Sequence, residues 1–381
     1  MSFHFSQRTF CNHLLNNFIN RRTFSSFSYV IKNVLNSQHR SCVNNLLRPT
    51  RQVVQVSTRR HIHLQKIGVV GVPLNKGQDK QGVELGPKAL RDNGLITSLE
   101  DLGHRINDYG NIEFENIEED DKQPLIKNGQ FLSHASKKIS NAVKKVIQDG
   151  EICVTLGGDH SLTTGALHGH VQVQPDLVIV WIDAHADINP PAASLTGHMH
   201  GMPLSFLIKE LQPYMSEVGP FDWVEPCISA HDLVYIGLRD VDAVERWLIE
   251  KLGICTFSMQ ELDDLGIAAV LKTALSTVDP EGKRPIHVSF DIDSLDPSVA
   301  GSTGTPARGG LTYRESQYIA EVIAQTGRIS ALDIVEVNPL LGTQMEQEKT
   351  ISVAKDFALT IFGKQRCGTL PPRFTFSGRP S

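Results

Sequence analysis

From residue 66 onward, short apolar runs alternate with longer stretches in which apolar residues recur at helical spacing. The runs at 66–72, 152–156, 177–182, 233–236, 286–290 and 329–335 predict strands, and amphipathic segments separate them. A run such as Leu177-Val178-Ile179-Val180-Trp181-Ile182 is apolar at every position, which suits a strand covered on both faces, as in a parallel sheet. The alternation of strand and helix patterns predicts an α/β fold. Two helix starts carry capping-box spacing, Ser258 with Glu261 and Thr312 with Glu315. The acidic stretch 113–121 predicts a solvated loop, and no repeat or linker interrupts 66–362, so one domain is expected there. From Gly363 onward Pro371, Pro372, Gly378 and Pro380 predict an extended tail.

Polar residues gather where the apolar runs end. After 177–182 come Asp183, His185 and Asp187, alternating so that a continuing strand would project all three to one side. Asp291 and Asp293 repeat that alternation after 286–290, His160 follows 152–156, and Glu336 follows 329–335. In open α/β sheets these carboxyl ends line the crevice where ligands bind. A single buried Asp or His is more often a hydrogen-bonded core residue than a ligand. Four carboxylates side by side are different, because each uncompensated buried charge costs several kcal/mol, which only a strong cation offsets. The six groups His160, Asp183, His185, Asp187, Asp291 and Asp293 are too many for one tetrahedral zinc with an open position. They suffice for two ions if carboxylates bridge. Carboxylate and imidazole ligands without thiolate favour Mn2+, with Co2+, Fe2+ and Ni2+ as plausible substitutes and Zn2+ as another occupant. Two such ions about 3.5–4 Å apart share and activate a water, so the expected chemistry is hydrolysis.

The runs GGDHSL at 157–162, DAHADIN at 183–189, SFDIDSLDP at 289–297 and DIVEVNP at 333–339 resemble the arginase family, as do 71–91, 234–242 and 303–315. The resemblance spans roughly 66–362 and implies a three-layer α/β/α fold around a mainly parallel sheet. It implies two Mn2+ per subunit, one held by His160, Asp183, Asp187 and Asp291, the other by Asp183, His185, Asp291 and Asp293. The implied reaction is hydrolysis of L-arginine to L-ornithine and urea by a metal-bridging hydroxide. His200 matches the family's proton shuttle, a role that suits an imidazole near neutral pH. Glu336 matches the residue that pairs with the substrate guanidinium. Asn189 and Thr196 match contacts to the α-carboxylate, and His198 stands nearby where animal arginases usually carry Asn. Asp242 and Glu245 match residues near the α-amino group, and Thr305 a threonine of the cleft. The family also implies a homotrimer, with Arg366 at a subunit contact. An agmatinase or another ureohydrolase is the alternative, since its metal motifs would be similar. A single-zinc deacetylase is the nearest competitor by fold, and it needs no second set of ligands.

Composition adds an address and several exclusions. With 381 residues, 40% hydrophobic and 21% charged, the chain can bury a large core, and no apolar run approaches membrane-spanning length. Residues 1–60 hold eight Arg, Lys32 and no acid, so the formal charge of −5 divides into +9 on this segment and −14 on the remainder. Leu14, Leu15, Phe18 and Ile19 fall at helical spacing ahead of Arg21 and Arg22, the pattern of a mitochondrial transit peptide over 1–63 followed by a catalytic domain over 64–362. A matrix location follows. The negative remainder disfavours nucleic acid as a partner. Cys153, Cys227, Cys255 and Cys367 form no CxxC pair and read as reduced structural thiols. Neither a GxSxG elbow nor a nucleotide-binding glycine fingerprint is present.

Overall fold

The computed structural model describes residues 64–117, 125–215 and 219–368. The expected transit peptide at 1–63, the acidic residues from 118 to 121 and the tail beyond 368 lie outside the described residues.

Strands β1 (Lys66–Val72), β2 (Arg105–Asn111), β3 (Ile152–Gly157), β4 (Val178–Ile182), β5 (Leu233–Leu238), β6 (Cys255–Ser258), β7 (Ile286–Asp291) and β8 (Ile329–Val335) form one sheet. Its order is β2-β1-β3-β8-β7-β4-β5-β6, and every neighbouring pair is parallel. Helices α1 (Gly86–Asp92), α2 (Leu95–Asp101), α3 (Gly129–Gln148), α4 (Thr163–Val171), α5 (Ala243–Leu252), α6 (Met259–Leu265), α7 (Ile267–Val278), α8 (Tyr313–Thr326) and α9 (Gln344–Ile361) cover it.

Two apolar cores result, one on each face. In β4, Val178, Val180 and Ile182 point toward the core built with α1, α2 and α6 to α9, while Ile179 and Trp181 point toward the core built with α3, α4 and α5. This is why β4 is apolar throughout: both of its faces are dry. The result is three layers, α/β/α, as the family resemblance implies. Both capping boxes form, with the Ser258 hydroxyl accepting from Gln260 N and the Thr312 hydroxyl from Glu315 N. Among the described residues no helix is long and apolar enough to cross a membrane.

Two strands differ from the sequence-based expectation. Both are sheet edges: β2, RINDYGN, is largely exposed, and β6 is only four residues long. An edge strand is covered on fewer sides and needs no continuous apolar run. The strands whose ends carry the polar groups, β3, β8, β7 and β4, are consecutive in the sheet, so their carboxyl ends meet at one place.

Candidate metal centre

The polar groups converge, though not by strand alternation. β4 stops at Ile182, and 183–187 continue as a loop in which Asp183 Oδ1 accepts from His185 N at 2.7 Å and Asp187 turns at φ 54°. β7 stops at Asp291, whose Oδ1 accepts from Asp293 N at 2.8 Å and so caps the 3-10 turn Ile292–Ser294. Short aspartate side chains folding back onto their own backbone thus shape both loops. His160 stands on a third such turn, His160–Leu162, capped by Asp159, whose carboxylate accepts from Ser161 N at 3.1 Å and Gly77 N at 2.8 Å.

His160 Nδ1 lies 3.1 Å from Asp183 Oδ2, 3.0 Å from Asp187 Oδ2 and 3.0 Å from Asp291 Oδ2. His185 Nδ1 lies 3.4 Å from Asp183 Oδ1 and 3.2 Å from Asp293 Oδ2. Two sets able to hold a metal ion follow, His160 with Asp183 and Asp187, and Asp183 with His185 and Asp293, and they share Asp183. Two atoms test the fit. His160 Nδ1 and Asp293 Oδ1 are buried without a hydrogen-bond partner, although three carboxylate oxygens crowd the former. One ring N–H cannot serve three acceptors, whereas a ring lone pair and three carboxylates suit a common cation. All four aspartates are buried. Burial, with Asp293 and Asp183 adding repulsion, pushes Asp291 well above the usual carboxylate range, and burial with Asp183 lifts Asp187 to about 6. A divalent ion would relieve both.

A cavity of about 190 Å³ opens on this cluster, lined by His185, Asp187 and Asp291 below, by Asn189 and His200 on one side, and by Asp240, Asp242 and Glu245 beyond β5. Asp242 and Glu245 form the capping box that starts α5, and Asn189 Nδ2 donates to Asp242 Oδ2 at 2.9 Å. Glu245 is buried and accepts from Ile188 N at 3.1 Å and Asp242 N at 3.0 Å, so it clamps the loop after β4 to the helix start. Burial and the charge of Asp187 push its carboxyl up to about 8. Thr305 also lines the cavity, and its hydroxyl donates to Asp293 Oδ2 at 2.9 Å.

Glu336 lies beneath this surface, buried at φ 61°, accepting from His160 N at 2.9 Å and facing His200 Nδ1 at 3.4 Å. Burial opposes a charge on His200, but Glu336, Asp187 and Asp159 outweigh it and raise the imidazole to about 9. Like Glu336, two further substrate-binding candidates stand outside the cavity lining: Thr196, whose hydroxyl accepts from His198 N at 3.2 Å, and His198, whose ring meets Asp79 and Lys127 at the lip.

Several supporting groups escaped the sequence reading. Asp240 lines the cavity 3.7 Å from His185 Nε2. Trp181 stacks on His160 with ring centroids 4.2 Å apart and donates from Nε1 to Asp183 Oδ2 at 3.0 Å, and Ser289 Oγ meets His160 Nε2 at 2.8 Å. The signal was present for Trp181 and Ser289, each standing two residues before a cluster aspartate on its own chain. Arg239 reaches the carbonyls of Asp293 and Ala307 at 2.6 and 2.8 Å and fastens the segment that carries Thr305. It lies in the 234–242 run that resembles the family, but nothing in that run marks this role.

Comparison with known proteins agrees with this geometry. The arginase family profile matches residues 65–363. Arginase-1 of Bos taurus is 48% identical over 309 residues, covering 81% of this chain and 96% of that protein. The mitochondrial arginase-2 of Homo sapiens is 46% identical over 319 residues, covering 82% of this chain and 90% of its own length. Among solved structures, the arginase of Bacillus caldovelox superposes with a TM-score of 0.73 at 36% identity, over 80% of this chain and all of that one. With the parallel sheet, the shared aspartate and these relatives together, the chain belongs to the arginase family.

Proposed function

We propose that this protein is a manganese-dependent arginase that hydrolyses L-arginine to L-ornithine and urea. The observation that carries the reading is the pair of buried ligand sets joined at Asp183 on the floor of an acid-lined cavity. His160, Asp183, Asp187 and Asp291 would hold one Mn2+, and Asp183, His185, Asp291 and Asp293 the other. When bound, such ions supply Lewis-acid activation of a water for attack on a carbon centre.

The rest is done by the chain's own groups. Asp240 and Asp242 give the cavity a negative wall, which attracts a cationic substrate and repels anionic ones. Asn189 and Thr196 recognise the α-carboxylate, with His198 beside them at the lip, Asp242 recognises the α-amino group, and Glu245 acts by holding the Ile188 and Asp242 backbones together. Glu336, tied to His160 N and facing His200, orients the guanidinium from beneath. Thr305 fixes one oxygen of Asp293 by donating to it. His200, on the cavity wall beside the ligands, moves protons between the site and its mouth.

The acid-free basic leader addresses the protein to the mitochondrial matrix, and import of the full chain into isolated mitochondria tests that. The family also leads to a homotrimer. Arg366, whose guanidinium rests on both oxygens of Glu321 at 2.7 and 2.6 Å, is the residue to change in a sedimentation test of it. For the activity itself, urea is assayed after chelation and after Mn2+ is restored. Return of urea only with the metal supports the reading, and urea undiminished by chelation contradicts it.

A further inference from the structure

His198 stands at the lip of the cavity, and its surroundings assign it a role. Three segments meet at the cavity mouth. The 194–200 loop is tied to the start of α3 by Lys127 N donating to Gly197 O at 2.9 Å, and to the loop after β1 by His200 N donating to Gly77 O at 3.1 Å. His198 stands at their junction with a ring that is 14% exposed. Its Nε2 lies 2.9 Å from Asp79 Oδ2 and 3.0 Å from Lys127 Nζ. These are an acceptor and a donor for the same atom. With a proton on Nε2 the ring donates to Asp79, and without one its lone pair accepts from Lys127. The nitrogen is therefore partnered in both states, which suits a group that must change state often. On the inner side, the His198 and His200 rings stand 6.0 Å apart between centroids, edge to face, within reach of a direct hand-over or one water. Asp79 is 70% exposed and Lys127 46%, so the outer side opens on solvent.

We propose that His198, held between Asp79 and Lys127, is the station through which His200 exchanges protons with bulk water. This deepens the arginase reading and rests on it. The ring, neutral with its proton on Nε2, takes a second proton on Nδ1 from the His200 imidazolium. It then releases the Nε2 proton to water, so charge is restored and only the tautomer changes. The groups facing His198 are Asp79, Lys127 and His200. Burial, Lys127 and His200 together outweigh Asp79 and hold the imidazole below its usual value, so it discharges readily at neutral pH.

The test uses the full chain loaded with Mn2+, with kcat and KM for L-arginine measured across pH in dilute buffer and with added imidazole. His198→Asn is expected to lower kcat in dilute buffer by about tenfold with KM within about twofold, and imidazole to restore it, while the unmodified protein responds little to imidazole. Asp79→Asn removes the carboxylate that favours the protonated ring, and the His198-dependent limb of the kcat profile moves to lower pH. The inference is overturned if His198→Asn keeps wild-type kcat and buffer response, if only KM rises, or if a loss is not restored by imidazole. If the unmodified, metal-loaded protein releases no urea from arginine, the arginase reading itself has failed, and this inference with it.

Discussion

At the residue scale, the shared aspartate makes the sharpest distinction. Asp183 belongs to both ligand sets, whereas His185 belongs to one. Asp183→Asn is expected to abolish tight binding of both metal equivalents, and His185→Asn to weaken one of them by more than about a hundredfold, as read by metal analysis after gel filtration. Equal losses in the two variants would contradict the two-set geometry. A second residue-level prediction lies away from the site. His170 is buried, its Nδ1 2.9 Å from His287 Nδ1, and His287 Nε2 reaches Asp333 Oδ2 at 3.0 Å. Burial, with His287 adding to it, depresses the His170 imidazole from 6.5 to about 3. A depressed value means the folded state resists the proton that the unfolded chain accepts. The stability contributed by the neutral ring is fully present above pH 6.5 and is lost as pH falls toward 3. Melting curves between pH 7 and 4.5 should fall less steeply for His170→Gln, by up to about 1.4 kcal/mol per pH unit. Identical slopes would show that the ring does not stay neutral. The convergence of these acids and histidines was legible in the sequence because they follow apolar runs whose strands are neighbours in the sheet. Their geometry was not, because Asp187 and Asp293 reach the cluster through turns built by other aspartates.

At the element scale, the site exists because strand exits are locked to one another. Gly158 is the knot: its N donates to Val72 O at 2.8 Å, and its O accepts from Glu336 N at 2.9 Å, joining the ends of β1, β3 and β8. A Cβ there would stand 1.8 Å from Leu74 O, a backbone atom. Gly158→Ala is therefore expected to destabilise the fold by more than about 3 kcal/mol in denaturant unfolding. Gly282→Ala, at φ 65° with nothing near the added carbon, should cost only about 1 kcal/mol. Similar costs for the two would mean that the exits are not packed as described. The capping box of α8 provides a milder test, with Thr312→Ala costing about 1 kcal/mol. Buried strands announce themselves in sequence, since both faces of β4 must be apolar. The edge strands do not, because β2 pairs only with β1 and keeps polar residues on its exposed positions.

At the scale of the whole molecule, four buried carboxylates and two histidines are gathered where the sheet can hold them, and the folded state carries that repulsion until a cation offsets it. Chelation should lower the melting temperature, and Mn2+ restore it by about 4 kcal/mol of stability when the free metal is a thousand times its Kd. A melting temperature indifferent to chelator would leave the cluster without a metal function. The family was legible from long ordered motifs, and the layered fold from the strand and helix pattern. The acid-lined cavity wall was only partly legible, since Asp240 joins it through the β5 exit. The most direct test of the central claim compares urea release from L-arginine and from agmatine by the Mn2+-loaded chain. Urea from arginine, with little from agmatine, is the predicted result. Urea mainly from agmatine would contradict the arginase reading, because it would mean that the cavity does not use the α-carboxylate.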